Sequence, residues 1–322
     1  MTSRRDFLVM APLSAFYVAY ATAQARPPRI GILSGLPLDK SIAAPVLLDA
    51  LAELGYRDKA GMILEYRYST NTVEIPRVAK ELVAADCDVL FALISENIVR
   101  ALRDAGSTPI VFLAFDFDPV DKGIIRSLRR PENNMTGVYV PVADLLAKRL
   151  EIAREVLPNA QRFIVLADIH TKDQLAALRK AAAQWHVRLT VVEYMQRPYD
   201  LTSAFETARR EKVDGLILLT SPVFSAEREK LSALFVKYKM PSFVPPNIVA
   251  FPGSLLSYGV HPKKPYRRAA ELGVQILKGA KAGEIPVEQA DDYELVINVK
   301  TARSLGLRIP ESVMARATAI VQ

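Results

Sequence analysis

The chain has 322 residues, half of them hydrophobic and 24% charged, which excludes a disordered polypeptide and leaves room for two domains with a core each. Its formal net charge is +7 and its pI about 9.4. Basic and acidic residues are nonetheless interspersed, and the densest basic patch, HPKKPYRR from His261 to Arg268, is short enough to be a solvated helix start, so no nucleic-acid partner is expected.

Residues 1–25 read as a signal peptide. Arg4 and Arg5 form a positive end, Phe7 to about Ala21 an apolar middle, and Ala23-Gln24-Ala25 a small-residue cleavage site ahead of RPPR. Ser3 to Leu8 (SRRDFL) resembles the twin-arginine export motif, with general secretory export as the alternative. The apolar run is too short and too broken for a membrane span of about 20 residues. Cleavage near Ala25 implies a periplasmic mature chain.

After the signal, PRIGILSG predicts a strand ending near Ser34 and APVLLDALAELGY a helix. DCDVLFALIS is an apolar run of strand length ending in Ser95, followed by the helical ENIVRALRDAG, which begins at Glu96, and by the strand TPIVF. Cys87, the single cysteine, is placed in the strand as a buried small hydrophobe. Next comes FDFDPV, where Phe115 and Phe117 interleave with Asp116 and Asp118. Asp118 reads best as a cap for an expected helix in VDKGIIRSLRR, whereas Asp116 is open between cap and ligand contact. QRFIVLAD, ending at Asp168, TKDQLAALRKAAAQW, KVDGLILLTS, ending at Ser221, AEREKLSALFVKYK and MPSFV then repeat the order of strands and helices.

The repeat aligns without a gap. Setting Asp88 on Asp214 places Leu90 on Leu216, Leu93 on Leu219 and Ser95 on Ser221. Each half is strand, helix, strand, helix, strand, and its strands lack polar alternation, as expected where helices cover both faces of a parallel sheet. Two such halves predict an α/β chain with two doubly wound parallel-sheet lobes. Ligands of such sheets lie beyond the carboxyl ends of the strands, and facing lobes share one cleft there.

Catalytic and cofactor signatures are not found. GILSG around Ser34 is not a Gly-x-Ser-x-Gly elbow, and the sequence carries no phosphate-binding loop or dinucleotide fingerprint. His170, His186 and His261 are the only histidines and none is spaced with another for a metal. The expectation is a chain without catalytic residues, metal or cofactor.

Family resemblance joins these observations. Pro109 (PIVF) with Asp118-Pro119-Val120, NNMTG (Asn133 to Gly137), KRLEIAREVLP (Lys148 to Pro158), SLLSYG (Ser254 to Gly259), RRAAELGVQILKGAKAGEIPVEQ (Arg267 to Gln289) and ELVINVKTARSLGLRIP (Glu294 to Pro310) resemble the periplasmic substrate-binding proteins of ABC importers, in the family containing binders of tryptophan and other aromatic amino acids. The resemblance spans residues 29–320. It implies a type I periplasmic-binding fold with three crossovers, near Gly137 to Pro141, Leu256 to Val260 and Glu294 to Asn298. The first lobe is then 29–138 plus 259–293 and the second 139–258 plus 294–322. It further implies a monomer that closes on a small-molecule ligand and delivers it to ABC permease membrane subunits. A sensory module serving a membrane receptor, or an enzyme with an unrecognised site, are the alternatives.

For the ligand site the residues at or just past strand ends are Ser34, Ser95, Thr136, Asp168 and Ser221, whose short polar side chains suit a polar solute. Asp116 or Glu96 would pair with an ammonium, and Phe115, Phe117 or Tyr258 would stack on a ring. Each has a plainer role: Glu96 in the first turn of a helix, the phenylalanines as core, the others as helix caps.

Overall fold

The computed structural model describes residues 26–41, 43–115, 117–169, 171–196, 198–246, 251–261 and 263–322. The signal peptide and Asp116 lie outside the described residues.

The first segment folds as β1 (Arg29–Ser34), α1 (Ala43–Glu53), β2 (Arg57–Asp58), β3 (Gly61–Tyr68), α2 (Ile75–Val83), β4 (Val89–Ile94), α3 (Glu96–Ala105), β5 (Ile110–Ala114) and β6 (Met135–Tyr139). The second runs α4 (Val142–Val156), β7 (Arg162–Asp168), α5 (Lys172–Gln184), β8 (Arg188–Tyr194), α6 (Leu201–Arg210), β9 (Gly215–Leu218), α7 (Pro222–Ala226), α8 (Arg228–Lys237), β10 (Ser242–Val244) and β11 (Leu256–Val260). Then follow α9 (Lys264–Leu277) and β12 (Glu288–Gln289), and finally β13 (Tyr293–Asn298), α10 (Val299–Ser304), α11 (Glu311–Met314) and β14 (Ala319–Val321).

These strands form two seven-stranded sheets, ordered β12-β6-β5-β4-β1-β3-β2 and β14-β13-β11-β10-β9-β7-β8. All the pairings are parallel except β11 with β13. The chain crosses between the sheets three times: after Tyr139, after Val260 and after Gln289. Residues 256–260 and 294–298, where the second and third crossovers are expected, are themselves strand: β11 and β13 pair antiparallel, so Gly259, Val260 and Tyr293 belong to the second sheet.

Successive strand residues feed opposite faces, which is why each sheet carries two cores. In the first sheet Phe91, Leu93, Val111 and Leu113 pack under α1 and α9, while Leu90, Ala92, Ile110 and Phe112 pack under α2 and α3. In the second, Phe163, Val165, Ile217 and Phe243 pack under α4 and α5, and Ile164, Leu166, Leu216 and Leu218 under α6 and α8.

The internal repeat acquires a physical cause. The Asp88 carboxylate accepts the Arg29 N–H at 2.7 Å, and the Asp214 carboxylate accepts those of Gln161 and Arg162 at 2.8 and 2.9 Å. Each aspartate thus ties the start of its half's first strand to the approach to a neighbouring strand. The backbone N–H groups of Leu90 and Leu216 both donate to the carbonyl of the proline that opens the next strand, Pro109 and Pro241.

Three local expectations are corrected. Residues 119–131 form turns instead of a helix: Gly123 sits at φ +64°, and Asp118 Oδ1 accepts the N–H groups of Val120 and Asp121 at 2.7 and 3.1 Å, closing a turn. Cys87 is buried as expected but lies ahead of β4, where burial raises its pKa to about 11. Each half also holds an extra strand–helix pair, β3 with α2 and β8 with α6.

Candidate functional site

The parallel strands of each sheet run toward the crossovers, so the carboxyl ends of both sheets lie on the side where the chain passes between them. Contacts among the described residues join the sheets there. Phe115, immediately after β5, packs against core clusters of both sheets, and its ring stacks on Tyr266 of α9 at 5.7 Å. Lys122, in the loop after β5, places Nζ 3.0 Å from Asp173 Oδ2 in the first turn of α5.

On the first sheet, Ser34 ends β1 and its Oγ accepts the Leu36 N–H at 3.2 Å. The Tyr66 hydroxyl donates to the Leu36 carbonyl at 2.7 Å, and Ser41 Oγ caps α1 by accepting the Ala44 N–H at 3.0 Å. β4 ends in a tight turn: Ile94 has φ +71° and the Ser95 N–H donates to the Leu93 carbonyl at 2.8 Å. A positive φ on a β-branched residue is strained, and this three-residue turn is a rare one. It swings Ser95 into the N-cap position of α3 with no side-chain cap bond. Glu96 opens the helix and pairs with Arg100 at 2.7 Å and Lys122 at 3.9 Å. Of its two sequence readings, the structure shows the first-turn position, with the carboxylate held by cations.

Two expected residues sit elsewhere. Thr136 is the second residue of β6, at the amino end of the strand, fully buried, with Oγ1 donating to the Pro286 carbonyl at 3.3 Å. Because NNMT leads into β6, it is Tyr139 that reaches the carboxyl end. Phe117 is buried in the core under α2 and α3. A shallow groove between Arg103, Ile125 and Asn133 contains none of the expected site residues.

On the second sheet the expected residues do come together. The Ser221 hydroxyl donates to Asp168 Oδ2 at 2.5 Å, and Ser221 Oγ accepts the Val223 N–H at 3.0 Å, capping α7. Thr171 Oγ1 accepts the Asp168 N–H at 2.8 Å and donates to its carbonyl at 3.0 Å. The Gln174 side chain brackets the Thr220 backbone, donating to its carbonyl at 2.8 Å and accepting its N–H at 2.9 Å. Asp168, Thr171, Gln174 and Ser221 are all buried, so the ends of β7 and β9 are a fixed polar platform. Tyr258, in β11, is half-buried and stacks on Tyr293 at 6.2 Å.

Sequence reasoning missed Tyr66, Tyr139, Arg149, Lys122 and Gln174. Burial, followed by the charges of Asp118 and Asp144, pushes the Tyr139 phenol upward, and burial raises those of Tyr66 and Tyr258. These hydroxyls are therefore neutral near pH 7 and act as hydrogen-bonding groups. Among the described residues no three His, Cys, Asp or Glu side chains group to hold a metal ion. Rigid strand ends, small hydroxyls, aromatic rings and opposed charges suit holding a solute between two lobes.

Two doubly wound sheets joined by three crossovers define a ligand clamp of the type I periplasmic-binding fold, and solved structures share it. A conserved domain protein from Vibrio cholerae is 26% identical, with a TM-score of 0.76 covering 92% of this chain and 100% of that one. An ABC domain in complex with L-Trp from Streptococcus pneumonia is 23% identical, with a TM-score of 0.73 covering 91% and 99%. The family pattern described as ABC transporter substrate binding protein matches residues 32–321, and the chain belongs to that family. A tyrosine-binding protein from Clostridioides difficile is 24% identical over 280 residues, 84% of this chain and 78% of its own length. This is a family of solute-binding proteins, not of enzymes.

Proposed function

We propose that the chain is the extracytoplasmic solute-binding component of an ABC importer. It captures a small polar ligand, an aromatic amino acid favoured, between its lobes and delivers it to permease subunits. The observation that carries this reading is the shared edge: strand ends of both sheets, bridged by Phe115 and by Lys122 with Asp173, face one another around the crossovers. Closure is driven only by contacts that a ligand makes with both lobes together, and this arrangement supplies polar groups from each. The first lobe offers Ser34, Ser95 and helix-start N–H groups, the second Asp168 and Ser221. Phe115, Tyr258 and Tyr139 supply aromatic surface at the crossovers.

The ligand class rests on two relatives, one named for tyrosine and one holding L-Trp. Export rests on the signal-like residues 1–25, which make the mature chain a periplasmic one. A micromolar ligand supplies about 8 kcal/mol, within reach of a few buried hydrogen bonds and one stacked ring.

A thermal-shift panel of the mature chain against amino acids, aromatic acids and nucleosides tests the ligand class. At a hundredfold excess over Kd a true ligand adds about 2.7 kcal/mol, a rise of about 4 °C for a chain of this size. A shift with L-tyrosine or L-tryptophan supports the reading. A shift confined to nucleosides overturns the aromatic ligand.

A further inference from the structure

The least usual charge among the described residues is Arg149 of α4, only 1% exposed and hydrogen-bonded to none of their side chains. Its position follows from the sequence SFVPP. β10 lies between β9 and β11 and stops at Val244, followed by Pro245 and Pro246. With Ser242 paired to Leu216 and Val244 to Ser257, a continued parallel ladder would bring the next two β10 N–H groups to the carbonyls of Leu218 and Tyr258. Proline has no N–H to give. The Arg149 guanidinium fills that gap: Nη1 donates to the Leu218 carbonyl at 2.8 Å, and Nη2 and Nε donate to the Tyr258 carbonyl at 2.9 and 3.3 Å.

The plug is electrically incomplete. Those three bonds leave two of the five guanidinium N–H groups without a protein partner among the described residues, and no carboxylate there pairs with the charge. Burial pushes the Arg149 pKa down, to about 9, which still leaves a cation at neutral pH. A buried, unpaired cation is costly unless an anion meets it. This one sits where β10 stops, on the edge that faces the crossovers, two strand positions from Asp168, or roughly 10 Å at the usual strand spacing.

We propose that Arg149 is a specificity-determining residue of the ligand cleft, whose buried charge and spare N–H groups select solutes carrying a carboxylate. This rests on the solute-binding reading above and deepens it. A guanidinium fork suits a carboxylate better than any neutral isostere, and fixing the fork on two backbone carbonyls pre-organises it.

The test compares L-tyrosine with L-tyrosinamide, which lacks the carboxylate, by isothermal titration of the mature wild type, Arg149→Gln and Arg149→Lys, with circular dichroism and urea midpoints as folding controls. The wild type is expected to prefer the acid by thirtyfold or more. Arg149→Gln should lose at least tenfold toward the acid and less than threefold toward the amide, while Arg149→Lys, which keeps the charge but not the fork, retains only part of the preference. Equal losses toward both probes would make Arg149 a strand-end plug only and overturn the proposal. So would a wild type that binds acid and amide alike, a result that needs no folded variant. A wild type that binds neither probe removes the aromatic-ligand reading and this inference with it.

Discussion

Lys122 and Asp173 come from different lobes, so their ion pair exists only while the lobes are together. With side-chain exposures of 35% and 55% it is largely solvated, which places its contribution at about 0.5–1 kcal/mol at low salt. If closure accompanies binding, Lys122→Met removes that increment from the closed state alone and weakens apparent ligand affinity about two- to fivefold. Global unfolding should move by less than about 0.5 kcal/mol, because an exposed pair adds little to either lobe. The hydrogen bond that Lys122 donates to Asp173, then the Asp173 charge, raises the Lys122 pKa above its ordinary value. A raised lysine contributes fully below its unfolded value and loses the contribution as the pH climbs past the folded one, so the affinity difference should be flat from pH 7 to 9 and vanish in strong alkali. Titration calorimetry of wild type, Lys122→Met, Asp173→Asn and the double variant closes a thermodynamic cycle. Coupling that is present at low ionic strength and fades in half-molar salt supports the latch. Zero coupling, or a loss indifferent to salt, refutes it.

Three further outcomes follow from the structure. Asp214→Ala, which leaves the N–H groups of Gln161 and Arg162 to water, should lower the denaturant midpoint by the equivalent of about 1 kcal/mol; an unchanged midpoint contradicts the strand-tie role. A Cβ on Gly137 would lie 2.2 Å from the Phe112 carbonyl oxygen, so Gly137→Ala should cost about 2–3 kcal/mol, whereas Gly35→Ala, which meets nothing within 4 Å, should be near neutral; equal melting temperatures would contradict the packing. With its pKa raised by burial to about 11, Cys87 has roughly 0.1% thiolate at pH 8 and should resist a thiol reagent until the chain is unfolded; rapid labelling of the native protein argues against that burial.

The fold was legible where strands are covered on both faces. The apolar runs inside DCDVLFALIS and KVDGLILLTS are buried from Val89 to Leu93 and from Gly215 to Leu219, and their shared aspartate marks a hydrogen bond that recurs in the structure. β3 and β8 escaped because they lie at or near the sheet edges and are half-exposed, so Gly61–Tyr68 and Arg188–Tyr194 lack a continuous apolar run. The stretch after Asp118 mimicked a helix because Ile124, Ile125 and Leu128 recur at helical spacing, yet Gly123 and Pro131 enforce turns. Within the site, serines and aspartates at the ends of apolar runs could be placed from sequence, since a run's end is visible there. Thr136 could not, because its strand starts where the motif suggested an end. Arg149 was hidden for a different reason: its partners are backbone carbonyls 69 and 109 residues away, orphaned by two prolines that follow the end of a third strand. Only the sheet order reveals that gap.

The clamp is tested most directly by native mass spectrometry of residues 26–322 incubated with an equimolar set of aromatic amino acids. The account predicts a single one-to-one complex, and release of a ligand whose mass is unchanged after hours of incubation. A spectrum without any bound solute, or a released compound of altered mass, would contradict it.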